Sequence, residues 1–230
     1  MLILASDTST KTESVALLRD EVVVAEYLGN AEKHHGETLL PTIAALLDGA
    51  AVAIDDIDVF VVTLGPGSFT GIRIGVSTVK GLVMATEKPV VGVSSLAALA
   101  MNLPNSMVPI CPMLDARKNE VYTALYRPGK GGVPEKVLDE RVTTPLAFLD
   151  HIHEDVIFIG DGAVVYEHHI RNEFPHTSYF ALGNLNYIRG SSVGLIGLKK
   201  YRDGDTLNLL GFTPEYLRLS EAEVKQRGKK

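Results

Sequence analysis

The amino-acid sequence predicts an α/β protein built from two copies of one βββαβαβα unit. Three observations lead to this prediction. Short apolar strands alternate with amphipathic helices, the strand–turn–strand pattern around Asp7 returns around Asp115, and each half has a buried-type strand that enters a glycine turn. The period of about a hundred residues is too long for a solenoid repeat, so we expect a duplicated domain.

The first copy is predicted to occupy residues 1–104. Three antiparallel strands are predicted in "LILASD", "SVALLRD" and "EVVVAEYLG". A helix is predicted in "GETLLPTIAALLDGA", because its leucines recur at helical spacing. The strand "IDVFVVTLG" is apolar enough to be buried on both faces, and a loop with a helix, the strand "KPVVGVS" and the short helix "SLAALAMNL" follow it.

The second copy is predicted to occupy residues 105–230, after a hinge near "NLPNSM". Its first hairpin is "VPICPMLDARKNEVYTALYRP", in which "DARKNEVYTALYR" matches the earlier "DTSTKTESVALLR" with a small gap. The segment "DVIFIGDGA" predicts a strand that enters a glycine turn, and "GSSVGLIGLKKYRDG" predicts a closing helix.

Composition and charge exclude several classes of protein. Cys111 is the single cysteine, so a disulfide framework is impossible, and its apolar surroundings predict a buried, inert thiol. The N-terminal apolar run is short and has no basic flank, which predicts a cytoplasmic protein without membrane contact. The net charge of −6 argues against unaided binding of a polyanion. The end of the chain is the basic exception, which leaves open a nucleic-acid contact or a solvated tail; its basic residues are Arg218, Lys225, Arg227, Lys229 and Lys230.

The glycine-rich segment "TLGPGSFTGIRIGVSTVKG" is not a P-loop, because Gly71 is followed by Ile72 and Arg73 instead of Lys and Ser or Thr. It also departs from the dinucleotide fingerprint, because its third glycine falls one residue late. A tight turn is predicted at Gly65–Gly67, followed by a helix capped by Ser68 or Thr70. Gly71 and Gly75 share one face of that helix, so another backbone approaches closely there, either within the same domain or across a subunit interface.

Two βββαβαβα domains facing a cleft resemble the actin, hexokinase and Hsp70 superfamily, which has RNase H-like domains. The resemblance implies that both hairpins and a glycine turn surround a nucleotide cleft. Arg117 stands where the superfamily has a small residue, so we expect the cleft to be vestigial and nucleotide hydrolysis by this chain alone to be absent. The residues assigned to this vestigial cleft are Asp7, Thr8, Ser9, Asp115, Arg117, Gly160, Asp161 and Gly162.

Six segments between Asp7 and Arg218 resemble the TsaB family, formerly called YeaZ: "DTST", "HGETLLPTI", "GPGSFTGIRIGVSTVKGL", "LDARKNEVYTALY", "IGDGA" and "PEYLR". The resemblance implies a protein required for threonylcarbamoyladenosine at position 37 of tRNAs that read ANN codons. It implies the paralogous catalytic subunit TsaD and the ATPase TsaE as partners, a homodimer in isolation, and contact with tRNA only as part of the complex.

The resemblance also implies that the helices predicted near residues 36–49 and 69–86 pair with TsaD or with a second copy. This favours the subunit-interface explanation of the glycine stripe. The predicted interface residues are His35, Leu39, Leu40, Ile43, Phe69, Thr70, Gly71, Arg73, Ile74, Gly75 and Thr78.

The same resemblance predicts a pseudoenzyme without catalytic residues. Ser95 and Leu99 stand where TsaD carries metal-binding histidines, and neither side chain can replace imidazole at such a site. The glycine-rich segment "GPGSFTG" does not match the Gly-x-Ser-x-Gly nucleophile elbow of serine hydrolases. We expect no metal and no cofactor bound by this chain alone, while a nucleotide at the boundary with TsaD stays open. The alternative is a stand-alone ATP-dependent kinase or ATPase of this fold, with Asp7 and Asp115 around magnesium.

Overall fold

The computed structural model describes residues 1–30, 35–208 and 211–218. Within these described residues, each half contains five strands and three α-helices in the order βββαβαβα. The first half comprises β1 (Leu2–Asp7), β2 (Glu13–Arg19), β3 (Val22–Gly29), α1 (His35–Gly49), β4 (Val59–Gly65), α2 (Phe69–Thr86), β5 (Val90–Ser94) and α3 (Ser95–Ala100). The second half comprises β6 (Ile110–Arg117), β7 (Glu120–Arg127), β8 (Glu135–Thr143), α4 (Pro145–Leu149), β9 (Val156–Ile159), α5 (Asp161–Glu173), β10 (Ser178–Phe180) and α6 (Gly190–Arg202).

The two sheets have the same strand order, which confirms the predicted duplication. The first sheet runs β3-β2-β1-β4-β5 and the second runs β8-β7-β6-β9-β10. In each sheet the three strands of the opening meander are antiparallel, and the remaining two are parallel to the first. This is the duplicated topology of the actin, hexokinase and Hsp70 superfamily, as the sequence predicts.

The helices form three layers around the two sheets. Helices α1 and α2 cover the outer face of the first sheet, while α4 and α5 pack on the second. The last helix of each half crosses over, because α3 packs on β6 and β7, and α6 packs on β1 and β2. A central apolar core therefore joins both halves; it includes Ile3, Val61, Leu96, Leu99, Ile110 and Ile196.

The buried strands explain why the apolar runs are so continuous. All seven residues of β4 are buried, because helices lie over both of its faces. Strand β3 lies at the edge of its sheet and is half exposed, so the run "VVVAEYLG" is less buried than its composition suggests.

The end of the described chain returns to the first half. The backbone N–H of Leu207 donates to the carbonyl of Val90, and Phe212 is buried in the outer core under α1 and α2. The predicted boundary at residue 104 separates the two sheets, yet Leu207, Phe212 and Glu215 pack back across it against the first half. The predicted basic tail beyond Arg218 lies outside the described residues.

Among the described helices, none combines the length and the apolar composition needed to cross a membrane. Cys111 is fully buried as predicted, and its sulfur lies 3.4 Å from the Thr123 hydroxyl. Burial raises the pKa of the Cys111 thiol to about 12, so the thiolate needed for nucleophilic chemistry is scarce at neutral pH.

Candidate functional site

The glycine-rich segment forms the turn between β4 and α2, as the sequence predicts. Gly65 has a φ of +126°, a conformation that residues with a side chain rarely adopt. The Ser68 hydroxyl caps α2 by accepting from the Gly71 N–H at 3.2 Å. The Ser68 N–H in turn donates to the Ser9 carbonyl at 2.7 Å, so the turn rests directly on the β1–β2 loop.

The glycine stripe of α2 faces that same loop, which corrects its assignment to a subunit interface. Gly71 and Gly75 are both buried. A Cβ atom on Gly71 would lie 2.0 Å from the Thr8 carbonyl oxygen, and one on Gly75 would lie 2.5 Å from Thr8 Oγ1. The Thr8 hydroxyl donates to the Gly71 carbonyl at 2.8 Å. The stripe therefore lets α2 approach the chain's own β1–β2 loop.

Two further predicted interface residues are also turned inward. Leu39 and Ile43 are 1% and 2% exposed, because they fill the outer core between α1 and the first sheet. Leu40, on the opposite face of α1, is 54% exposed. On α2, the predicted residues Phe69, Thr70, Arg73, Ile74 and Thr78 line an open groove of about 500 Å³ together with Ser77.

The carboxylate of Asp7 is sealed inside the protein, which corrects its predicted place in the cleft. Its Oδ1 accepts from the Ser9 N–H at 3.2 Å, from the Ser9 hydroxyl at 2.6 Å and from the Thr63 hydroxyl at 2.6 Å. Asp7 and Thr8 are each 1% exposed, because the glycine turn and α2 cover them. Burial raises the pKa of Asp7 even though the three hydrogen bonds oppose the rise. A phosphate or magnesium ion could reach this carboxylate only if the loop moved.

A buried glutamate that the sequence did not reveal holds α1 against β2. Glu13 is fully buried and accepts from the hydroxyls of Thr38 at 2.6 Å and Thr42 at 2.8 Å. His35 Nδ1 lies 3.6 Å from the same carboxylate, and His35 Nε2 lies 2.8 Å from the Thr10 carbonyl oxygen. His35 therefore joins α1 to the β1–β2 loop. The paired threonines on one face of α1 were the only signal for this network in the sequence.

The second hairpin repeats the hydrogen bonding of the first. The Arg117 N–H donates to Asp115 Oδ1 at 2.9 Å, just as the Ser9 N–H donates to Asp7 Oδ1. Arg117 has a φ of +62°, the left-handed conformation that favours a glycine. At both loops, the backbone N–H two residues after the aspartate is thus occupied by the aspartate itself instead of being available to a phosphate.

The glycine turn predicted for the nucleotide cleft follows β9, and its glycines allow close packing. A Cβ atom on Gly160 would lie 2.3 Å from the Met113 carbonyl oxygen, and one on Gly162 would lie 3.0 Å from backbone atoms of Met113 and Leu114. Both glycines are buried. The exposed Asp161 between them accepts from the Asp115 N–H at 3.0 Å. The turn therefore brings α5 against β6.

These elements surround a cleft of about 1020 Å³ between the two halves. Of the predicted cleft residues, Ser9, Asp115, Arg117 and Asp161 line it, whereas Asp7, Thr8, Gly160 and Gly162 lie beneath its surface. Predicted interface residues from α1 and α2 border it too, which the sequence did not indicate; they are His35, Phe69, Thr70, Gly71 and Ile74.

Within the described parts of the chain, no three His, Cys, Asp or Glu side chains lie close enough together to hold a metal ion. Ser95 and Leu99, at the positions compared with metal-binding histidines, are fully buried in the central core. Lys11 and Arg117 supply positive charge at the cleft, and Tyr122 and Tyr187 supply aromatic surface. The described cleft therefore has room for a ligand. At each aspartate loop Oδ1 already accepts a hydrogen bond from the loop itself, whereas Asp7 Oδ2 is buried without a hydrogen-bond partner among the described residues.

The topology and the paired aspartate hairpins define a protein with the duplicated fold of the actin, hexokinase and Hsp70 superfamily. The sequence model of the family "TsaD: tRNA N6-adenosine threonylcarbamoyltransferase" matches residues 29–226. The "tRNA threonylcarbamoyladenosine biosynthesis protein TsaB" of Bacillus subtilis is 35% identical over 98% of this chain and 97% of its own length. The chain therefore belongs to the TsaD family of proteins and, within it, to TsaB.

Solved structures agree with this assignment. YeaZ from Pseudomonas aeruginosa superposes with a TM-score of 0.79 at 28% identity, covering 94% of this chain and 99% of that chain. Component A of the (R)-2-hydroxyglutaryl-CoA dehydratase of Acidaminococcus fermentans has a TM-score of 0.51 at 13% identity, covering 88% of this chain and 99% of that one. The second likeness shows a shared fold alone.

Proposed function

We propose that this chain acts in the biosynthesis of threonylcarbamoyladenosine at position 37 of tRNAs that read ANN codons. The observation that carries the proposal is the identity of 35% to the Bacillus subtilis TsaB over nearly the full length of both chains. The Haemophilus influenzae TsaB, 29% identical over 95% of this chain, bears the same name. In this proposal the chain is a partner of a TsaD-type catalytic subunit and works with the ATPase TsaE.

The state of the two aspartate loops supports a non-catalytic role. Asp7 is buried with its Oδ1 held by Ser9 and Thr63, and Asp115 accepts from the Arg117 backbone. A phosphoryl-transfer site needs such groups free to meet magnesium and phosphate. The chain is therefore proposed to shape and stabilise its catalytic partner, and any tRNA contact would be made by the assembled complex.

The exposed face of α1 and α2 is the proposed contact surface. Leu40 and the groove lined by Phe69, Arg73 and Ile74 combine apolar and aromatic area with one guanidinium. This composition is typical of the centre of protein interfaces. In the absence of TsaD, the same surface is proposed to pair with a second copy of the chain.

The test is reconstitution of threonylcarbamoyl transfer onto unmodified tRNA. TsaD, TsaE, ATP and a source of threonylcarbamoyl-adenylate are combined with or without this chain, and modified adenosine is measured by mass spectrometry. We expect repeated turnover only when the chain is present, and no product from the chain alone. Equal product with and without the chain would refute the proposed function.

A variant pair tests the contact surface separately. Leu40→Glu places a charge on the proposed surface, and we expect it to weaken binding to TsaD by about tenfold or more. Val164→Glu is the matched control, since Val164 on α5 is 55% exposed and lies in the other half. Light scattering and calorimetry with TsaD give both affinities and the self-association of the free chain. Equal losses in the two variants would rule out this surface.

The alternative, a stand-alone ATP-dependent kinase or ATPase, draws support only from the size of the cleft. It requires the isolated chain to bind Mg-ATP tightly. Calorimetry with Mg-ATP and the isolated chain separates the two proposals. We expect no measurable binding, because Asp7 is buried and the backbone N–H groups of Ser9 and Arg117 are already bonded to the aspartates of their own loops.

A further inference from the structure

The segment Gly211–Arg218 runs over the first half of the molecule and is fastened there at two points. Phe212 is 5% exposed in the outer core, and the Lys80 ammonium lies 4.9 Å from its ring centre. The Glu215 N–H donates to the Leu64 carbonyl at 2.8 Å. At this point the segment lies against Gly65, where a Cβ atom would approach the Glu215 carbonyl oxygen to 2.5 Å.

The next residue of the segment joins the exposed face of α2. The ring of Tyr216 stacks on Phe69 with 4.6 Å between centroids. Arg73 Nε donates to the Tyr216 hydroxyl at 2.8 Å, and its guanidinium carbon lies 3.8 Å from the Phe69 ring centre. Tyr216 is thus part of the same surface as two predicted interface residues.

The segment then reaches the second half. The Arg218 guanidinium donates to the Ala116 carbonyl at 2.9 Å and also forms an ion pair with the Glu120 carboxylate. Ala116 and Glu120 flank the turn of the second hairpin, whose three residues Arg117, Lys118 and Asn119 all have positive φ. This conformation is unfavourable for residues with side chains, so a clamp that holds both ends of the turn stabilises it.

We propose that residues 211–218 form a strap that ties the second hairpin to the start of α2 and couples the exposed face of α2 to the cleft. Tyr216 and Arg218 are only two residues apart, yet one contacts the α2 surface and the other contacts the hairpin that carries Arg117 into the cleft. A molecule that displaces or tightens Tyr216 must therefore shift Arg218 and the hairpin. Whether the strap ties the hairpin to α2 does not depend on the proposed function. The response of the strap to a partner does rest on the proposed function.

The tie is tested in the isolated full-length chain by amide hydrogen exchange. Arg218→Ala is expected to speed exchange in the hairpin around residues 115–122 by about fivefold, because the hairpin opens locally more easily once the contacts of Arg218 are removed. Arg127→Ala is the matched control: Arg127 ends the same strand β7 that Glu120 begins, and its ion pair with Glu154 stays within the second half. Circular dichroism and thermal unfolding verify that each variant is folded.

A second variant removes the other half of the ion pair. Glu120→Gln keeps the shape of the side chain and is expected to speed exchange in the same residues, and the double variant should add little to either single change. Unchanged hairpin exchange in both single variants, or the same increase in Arg127→Ala, would overturn the tie.

The coupling is tested by adding purified TsaD to wild-type chain and to Tyr216→Ala. Binding to wild type is expected to change the hairpin exchange by at least about threefold, and Tyr216→Ala is expected to lose most of that change even at TsaD concentrations that saturate it. An equal change in both proteins overturns the coupling. If wild type does not bind TsaD at all, the proposed function fails along with the coupling, while the result for Arg218→Ala still decides whether the strap exists.

Discussion

The close packing of α2 on the β1–β2 loop predicts that Gly75→Ala lowers the free energy of unfolding. In Gly75→Ala the new methyl carbon would lie 2.5 Å from Thr8 Oγ1, about 1 Å closer than ordinary contact. Thr8 must then rotate, which breaks the bond from its hydroxyl to the Gly71 carbonyl.

The magnitude follows from three effects. Overpacking a buried site costs about 1–3 kcal/mol. Losing the Thr8 hydrogen bond costs about 0.5–1.5 kcal/mol. Replacing a helical glycine by alanine returns about 1 kcal/mol. We expect Gly75→Ala to lower the free energy of unfolding by about 1–3 kcal/mol, since the first two effects outweigh the third.

Gly81 is the matched control in the same helix. It is exposed, and a Cβ atom there would meet no atom within 4 Å, so Gly81→Ala should gain up to about 1 kcal/mol. Urea unfolding at concentrations where the free chain is in one oligomeric state measures both variants. In a Thr8→Ala background the cost of Gly75→Ala should shrink by about 1 kcal/mol or more, because the obstructing oxygen is gone.

If Gly75→Ala is as stable as Gly81→Ala and loses only the binding of a partner, then the stripe serves a subunit interface and the internal packing described above does not govern it. If both variants are destabilised equally, helix propensity and local contacts do not account for either change.

Three further predictions concern single side chains. Partial burial would raise the pKa of Glu26, but hydrogen bonds from Ser191 and the Arg189 guanidinium outweigh it and lower that pKa. Glu26 therefore contributes stability above its unfolded pKa that is lost as the pH falls through the lower folded value; Glu26→Gln should cost about 1–3 kcal/mol at neutral pH and flatten this acid limb in urea titrations. Burial raises the pKa of Asp7, so stability falls as the pH rises from the pKa of Asp7 in the unfolded chain through its higher pKa in the folded protein. Asp7→Asn should therefore be at least as stable as wild type at neutral pH. A large loss of stability in the same titrations would contradict this. Arg117→Gly relieves a left-handed φ and should raise stability by about 0.5–1 kcal/mol in thermal unfolding, whereas a lower midpoint would show that the arginine side chain matters more than the strain.

Part of the site was readable from residue order because its signals are local. The Ser68 hydroxyl caps α2 through the N–H of Gly71, only three residues away, so this contact depends on local sequence. The turn after β4 needs a positive φ, and the glycines in the sequence indicate this directly. The inward direction of Gly71 and Gly75 was not readable. Two glycines on one helical face predict that another segment packs closely there. Only the tertiary structure shows that this segment is the β1–β2 loop with Thr8.

By itself, the sequence determined the βββαβαβα order, the duplication, the burial of Cys111 and the family, because apolar periodicity, turn residues and motif spacing are properties of neighbouring residues. Only the tertiary structure decided that the Asp7 carboxylate is sealed, that Glu13 is held by two threonines, and that Arg218 reaches the second hairpin. Each of these contacts joins residues at least 25 positions apart in the chain, and their pairing depends on how the two sheets and the returning C-terminal segment pack together.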